Sequence, residues 1–177
     1  MIKQNLILIC LALACVACET KTDKQGFSWD KCKFGKPEPI FGEANLPGIK
    51  SKTFAITQQE GLEVVNFSDS LQTELSIRQS GCDELSQEFT FTYKGKSYGK
   101  WDDESWKKQA VMEFVKLSNL SPRLFVYSKW ASAIYEQRDS INIGENRDLA
   151  QGHFLKINKL AQADQGQLII TLSGKRE

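Results

Sequence analysis

From Phe54 to Tyr93 apolar residues fall on every second position in short runs, and at Trp101 the period lengthens to that of a helix. No other feature narrows the fold as far. A two-residue period puts every apolar side chain on one side of a pleated strand, whereas a helix needs one at every third or fourth position. The runs are Phe54 with Ile56, Leu62 to Phe67, Leu71-Thr73-Leu75-Ile77, and Phe89-Phe91-Tyr93. Breaks at Glu60–Gly61 and Ser80–Gly81 separate them, and Gln72, Glu74, Arg78, Glu88 and Lys94 occupy the alternate positions. This pattern predicts an antiparallel meander with one buried and one wet face.

Past Trp101, Asp102, Asp103 and Glu104 supply a cap and negative charge where a helix start exposes unpaired amides. Trp106, Ala110, Phe114 and Leu117 then recur at helical spacing. Ser121–Pro122 opens a second helix, with Leu124, Tyr127, Trp130, Ala131 and Ile134 on one face and an end near Arg138. Ile141 and Ile143 are the candidates for a short strand in the polar stretch that follows. Phe154–Leu160 and Leu168–Leu172, turned around Asp164 to Gly166, read as a hairpin. The order ββββ-αα-ββ predicts an α+β domain, an antiparallel sheet covered on one face by two helices. A length of 177 residues with 41% hydrophobic residues suits one such domain.

Upstream of the strands the pattern is different. Gly26, Gly35, Pro37, Pro39, Gly42, Pro47 and Gly48 alternate with Phe27, Trp29, Phe34, Ile40 and Phe41. Proline at that spacing forbids a helix or a long central strand, while the aromatics favour burial. The segment is expected to wrap over the domain as an ordered loop.

The amino terminus carries Lys3 and then an uncharged apolar run from Leu6 to Cys18, the plan of an export signal. The run is shorter than the ~20 apolar residues a membrane-spanning helix requires, which predicts removal rather than retention. Ala14–Cys15 and Ala17–Cys18 both resemble the bacterial lipobox, in which a small residue precedes the cysteine that receives lipid. Cys15 has the better upstream residues. Cys18 gives a more ordinary signal length and places polar Glu19 to Lys24 directly after the lipid; it is favoured, with Cys15 the alternative. The expected organisation is a signal over 1–17, a tether over 18–25 and one domain over 26–177. The resemblance implies a protein of the bacterial cell envelope, anchored to a membrane through its lipid and facing the periplasm or the exterior.

In such a compartment Cys32 and Cys82 read as a disulfide. The stretches Cys32 to Phe41, Gln79 to Cys82 and Glu88 to Phe91 are also similar to parts of small bacterial envelope proteins.

A net charge of +1 provides no broad basic field, so nucleic acid is not an expected partner. The single histidine, His153, excludes multi-imidazole metal centres and is read as a strand-end residue. No catalytic residue, metal or cofactor is expected. The contact surface expected is the segment from Tyr93 to Trp101, where Lys94, Lys96 and Lys100 alternate with Tyr98 and Trp101; such a loop suits an envelope glycan, an anionic polymer or a protein. The expected function is a non-enzymatic binding or structural role. One alternative is a hydrolase of an envelope polymer using paired carboxylates from Asp83, Glu84, Glu88 or Asp102 to Glu104. Another is an inhibitor or immunity protein against a toxin that attacks the cell wall.

Overall fold

The computed structural model describes residues 27–42, 45–57, 59–94, 98–149, 152–162 and 164–175. The expected signal and tether, with Cys15 and Cys18, lie outside them, as does Lys96. Four strands come first: β1 (Ile49–Ile56), β2 (Glu60–Phe67), β3 (Glu74–Ser80) and β4 (Glu84–Lys94). Two helices follow, α1 (Asp103–Ser118) and α2 (Val126–Gln137), and then β5 (Asn146–Asp148), β6 (His153–Ala161) and β7 (Gln165–Lys175). All pair antiparallel in one sheet of order β1-β2-β3-β4-β7-β6-β5. The protein is therefore α+β, with two strand meanders joined where β4 pairs with β7 over the full length of both, from Glu84↔Lys175 to Lys94↔Gln165.

Register turns the sequence alternation into a core. Val65, Leu75, Phe91 and Leu168 are neighbours across β2, β3, β4 and β7, and Ile77, Phe89, Ile170 and Ile157 form the next row. All eight are fully buried. α1 lays Trp106, Ala110, Phe114 and Leu117 against this face. Its first turn is closed by Asp102, whose carboxylate accepts from the Ser105 amide at 2.8 Å. α2 adds Tyr127, Ala131 and Ile134, and the rings of Phe89, Phe114 and Tyr127 meet one another with centroids 5.4–5.7 Å apart.

Three local expectations are corrected. Leu71 does not begin β3: the Asp69 carboxylate accepts from the Thr73 amide at 2.8 Å and ties residues 69–73 into a turn, with Gln72 at φ 48°. The second helix does not open as an α-helix at Ser121–Pro122. Its entry is a 3₁₀ turn, Pro122–Leu124, capped by the Ser121 hydroxyl, and α2 starts at Val126. Ile141 and Ile143 form no strand. Ile141 closes the 3₁₀ turn after α2 and is buried, and the edge strand that follows, β5, is the polar segment Asn146–Asp148.

Part of the core face of β1–β3 is covered by the amino-terminal segment. Glu63 points into the core from β2 and is 1% exposed, and its two oxygens accept from the Ile40 amide at 2.7 Å and the Phe41 amide at 3.1 Å. Lys52 of β1 donates to the Phe41 carbonyl, and Gln79 of β3 donates to the Glu38 carbonyl at 2.7 Å. These bonds satisfy main-chain groups that have no strand to pair with, which is how an irregular segment is buried at acceptable cost. Gly61 makes the approach possible, since a Cβ there would lie 2.6 Å from the Pro37 side chain. Cys32 and Cys82 form a disulfide with Cα atoms 4.4 Å apart, fastening the start of this wrap to the β3–β4 turn.

Replacing both Cys32 and Cys82 with Ser is expected to lower unfolding free energy by about 2–4 kcal/mol, because the bond closes a loop across 50 positions. Urea unfolding of the oxidised wild type against the double variant measures this; equal midpoints with equal slopes would contradict it.

Candidate cleft between the wrap and the second helix

The two covers leave one end of the core face open. Beyond the last fully apolar row, the core face continues with Gln79, Gln87, Leu172 and Leu155 in register, and then with Leu85, Gly174 and His153. Over these rows lies an open cleft in two adjoining hollows that share Phe34 and Leu85. The first, of about 350 Å³, is lined mainly by Phe34 from the wrap, Leu85 and Gln87 from β4, Trp130 from α2, Leu172 from β7 and His153 from β6. The second, of about 450 Å³, lies against residues 35–38 of the wrap and 79–81 at the end of β3.

Each wall is set by an identifiable contact. The Phe34 amide donates to the Cys82 carbonyl at 3.4 Å and the Gly35 amide to the Cys32 carbonyl at 3.0 Å, so the disulfide places the aromatic wall. Trp130 meets His153 edge-on with ring centroids 6.1 Å apart. Gly174 lets the imidazole lie across β7, because a Cβ at that position would be 2.7 Å from Nδ1 of His153. The Gln87 side chain has no hydrogen-bond partner among the described residues, so its amide can serve a ligand on the cleft floor. The first hollow thus offers a largely carbon surface with an amide and an imidazole at its edge, the composition of small-molecule sites.

The segment expected to make contacts is built differently. Lys94 and Lys100 are exposed, but Tyr93 and Tyr98 are completely buried and Trp101 is half-buried. Tyr98 stacks on Tyr93 at 5.5 Å and packs against Trp101 at 5.0 Å and Trp106 at 6.0 Å. Its ring also fills the space where a Gly166 side chain would stand. Tyr98 is therefore a core residue that carries the chain from β4 into α1.

Three of the acidic groups considered for a hydrolase are engaged separately. Glu88 faces away from the core and pairs with Arg78 at 3.4 Å, Asp102 caps α1, and Asp103 pairs with Lys159. Among the described residues, no group of three or more His, Cys, Asp or Glu is arranged to hold a metal ion.

A buried polar cluster lies under α1. Glu113 accepts from Gln109 at 2.8 Å, and Lys116 reaches both Asp69 at 2.6 Å and Glu113 at 3.7 Å while lying over the Phe67 ring. Burial raises the Glu113 carboxyl above its ordinary pKa despite Lys116 and Gln109. At Asp69 burial acts in the same direction, but the Lys116 ammonium and the Thr73 amide outweigh it and hold the carboxyl below its ordinary value.

No family model matches this sequence, and neither curated proteins nor solved structures give a match. The cleft is thus read from its own chemistry. Of its residues, sequence reasoning weighed only His153, and assigned it no role; Phe34 and Trp130 read as core aromatics, and Leu85 and Gln87 fell between two strand signals. The two glutamines on core-facing positions, Gln79 and Gln87, were the available sign that the core face ends there.

Tyr98→Ala is expected to cost about 3–5 kcal/mol, as for truncation of a buried aromatic. Lys94→Ser with Lys100→Ser should change stability by no more than about 0.5 kcal/mol. Denaturant titration of these variants tests the assignment of Tyr98 to the core, and a Tyr98→Ala protein as stable as wild type would refute it. Glu113 also sets a pH dependence. Its folded-state pKa lies above the unfolded value, so the folded state binds the extra proton and loses stability as pH rises from the ordinary carboxyl range through the raised value. Glu113→Gln should therefore gain on wild type across that window and hold a constant advantage above it, as measured by unfolding at a series of pH values. A difference that does not vary with pH would contradict the assignment.

Proposed function

We propose that this protein is a lipid-anchored lipoprotein of the bacterial envelope with a non-enzymatic binding role, and that the cleft beside Trp130 and His153 is where it binds. One observation carries the binding role: the core face is left open where the wrap and α2 fail to meet, and that opening is walled by Phe34, Leu85, Leu172 and Trp130. An uncovered apolar hollow is unfavourable in water unless something occupies it. Of the carboxylates considered for hydrolysis, Glu88, Asp103 and Asp102 are engaged with Arg78, Lys159 and the α1 cap, which supports retention of a ligand over its cleavage. The anchoring half rests on the uncharged Leu6–Cys18 run, the Ala–Cys pairs and the Cys32–Cys82 disulfide, a bond characteristic of oxidising compartments.

Intact mass of the protein extracted from membranes tests the anchor. A chain that begins at Cys18 and carries acyl mass is expected, with soluble, unacylated protein from Cys18→Ser. A chain that begins at Cys15 would transfer the lipid to the alternative cysteine, and a processed chain with no acyl mass would overturn the lipoprotein reading.

A further inference from the structure

We infer that the cleft takes a single acyl chain bearing a zwitterionic head, the chemistry of a monoacyl phospholipid. The inference rests on the cleft being the binding site and goes further by naming what fills it. Three observations lead to this class.

The first is polarity. The two hollows adjoin through Phe34 and Leu85 but differ in character, one walled mainly by carbon and the other mixed, with Lys36, Glu38, Gln79 and Ser80 beside Phe34, Pro37 and Leu85. A compact apolar molecule would use only the first, and a sugar or polar peptide would leave the Phe34, Leu85 and Leu172 walls dry and unpaired. An amphiphile uses both. The second is shape. The apolar hollow lies over the ends of β4, β7 and β6, where Leu85, Leu172 and Gly174 line it between Phe34 of the wrap and Trp130 of α2. A narrow floor of leucine side chains and Gly174 suits a polymethylene chain. The third is charge. The polar hollow includes Lys36 and Glu38, one cation and one anion, and neither makes an ion pair with the described residues. A head with a phosphate and an ammonium group can satisfy both, whereas a simple carboxylate leaves Glu38 unpaired and repelled. The Gln87 amide and the His153 imidazole, at the edge of the apolar hollow, remain for the ester and hydroxyl groups of a glycerol link.

Calorimetric titration of the oxidised protein tests this with saturated lysophosphatidylethanolamines of increasing chain length, each below its micellar concentration. Affinity is expected to rise by up to about fourfold per added methylene, the limit for complete burial, and to level off once the apolar hollow is full. Ligand-induced change in tryptophan emission should be largely lost in Trp130→Phe, because Trp130 is the tryptophan that lines the hollow. Leu85→Asn should flatten the chain-length series, and circular dichroism with thermal unfolding shows whether that variant is folded. A fatty acid of matching length should bind at least tenfold more weakly than the lysophospholipid, and Lys36→Ala should remove most of that difference.

Equal affinity for the fatty acid would overturn the zwitterionic head. Affinity independent of chain length, or a rise that never levels off and survives Leu85→Asn, would overturn the acyl chain. Binding of a peptidoglycan disaccharide with a Trp130-dependent signal and no lipid binding would overturn the ligand class while leaving the cleft as a binding site. No signal from any of these probes would overturn both readings.

Discussion

The pairing of β4 with β7 is the constraint from which the rest of the molecule follows. By joining the two meanders into a single seven-stranded sheet, it brings residues 71 to 91 positions apart into register and produces one continuous apolar face. The helical hairpin is inserted between β4 and β5, so it returns over that face. Two helices of 16 and 12 residues are too few to cover seven strands. The excess apolar surface over β1–β3 has to be covered by something else, and the chain provides the segment before β1.

That cover is held by polar groups as much as by apolar ones. Glu63 is a carboxylate in the core row of β2, where an aliphatic residue would continue the pattern of Val65 and Phe67, and it accepts two main-chain hydrogen bonds from the wrap. Burial raises its pKa even so, while the Ile40 and Phe41 amides and the Lys52 charge act in the opposite direction. A buried carboxylate matched in this way loses much of its value if either side is removed, because the remaining group stays buried and unpaired. With the disulfide at one end and Glu63 near the other, the wrap is fastened at two points, and Phe34 lies between them. The cleft exists because this fastening stops short of α2.

Much of the fold was legible because strands and helices declare themselves through local periodicity. The four alternating runs, the change at Trp101, the Asp102 cap and the final hairpin each depend on neighbours within a few residues. Where the reading failed, a nearby contact overrode periodicity. The Asp69 side chain captured the Thr73 amide and delayed β3, and Ile141 was drawn into the core instead of a strand. Tyr98 shows a related effect: lysines on either side mark the segment as exposed, but the ring turns inward to fill the space above Gly166. The candidate site was the least legible part, since Phe34, Leu85, Trp130 and His153 come from four separate stretches of chain and none has a local signature of binding.

By itself the sequence determined the α+β class, the antiparallel alternation, the start of the first helix and the chemical means for one disulfide. These are properties of residue spacing, of capping groups and of composition, and they act over short distances along the chain. Only the tertiary structure decided that β4 would lie beside β7, that Glu63 would hold the wrap, that Tyr98 would be core, and that a hollow would remain between Phe34 and Trp130. Those outcomes depend on how much apolar face two helices can cover, a balance of areas between elements distant in sequence that no local pattern encodes.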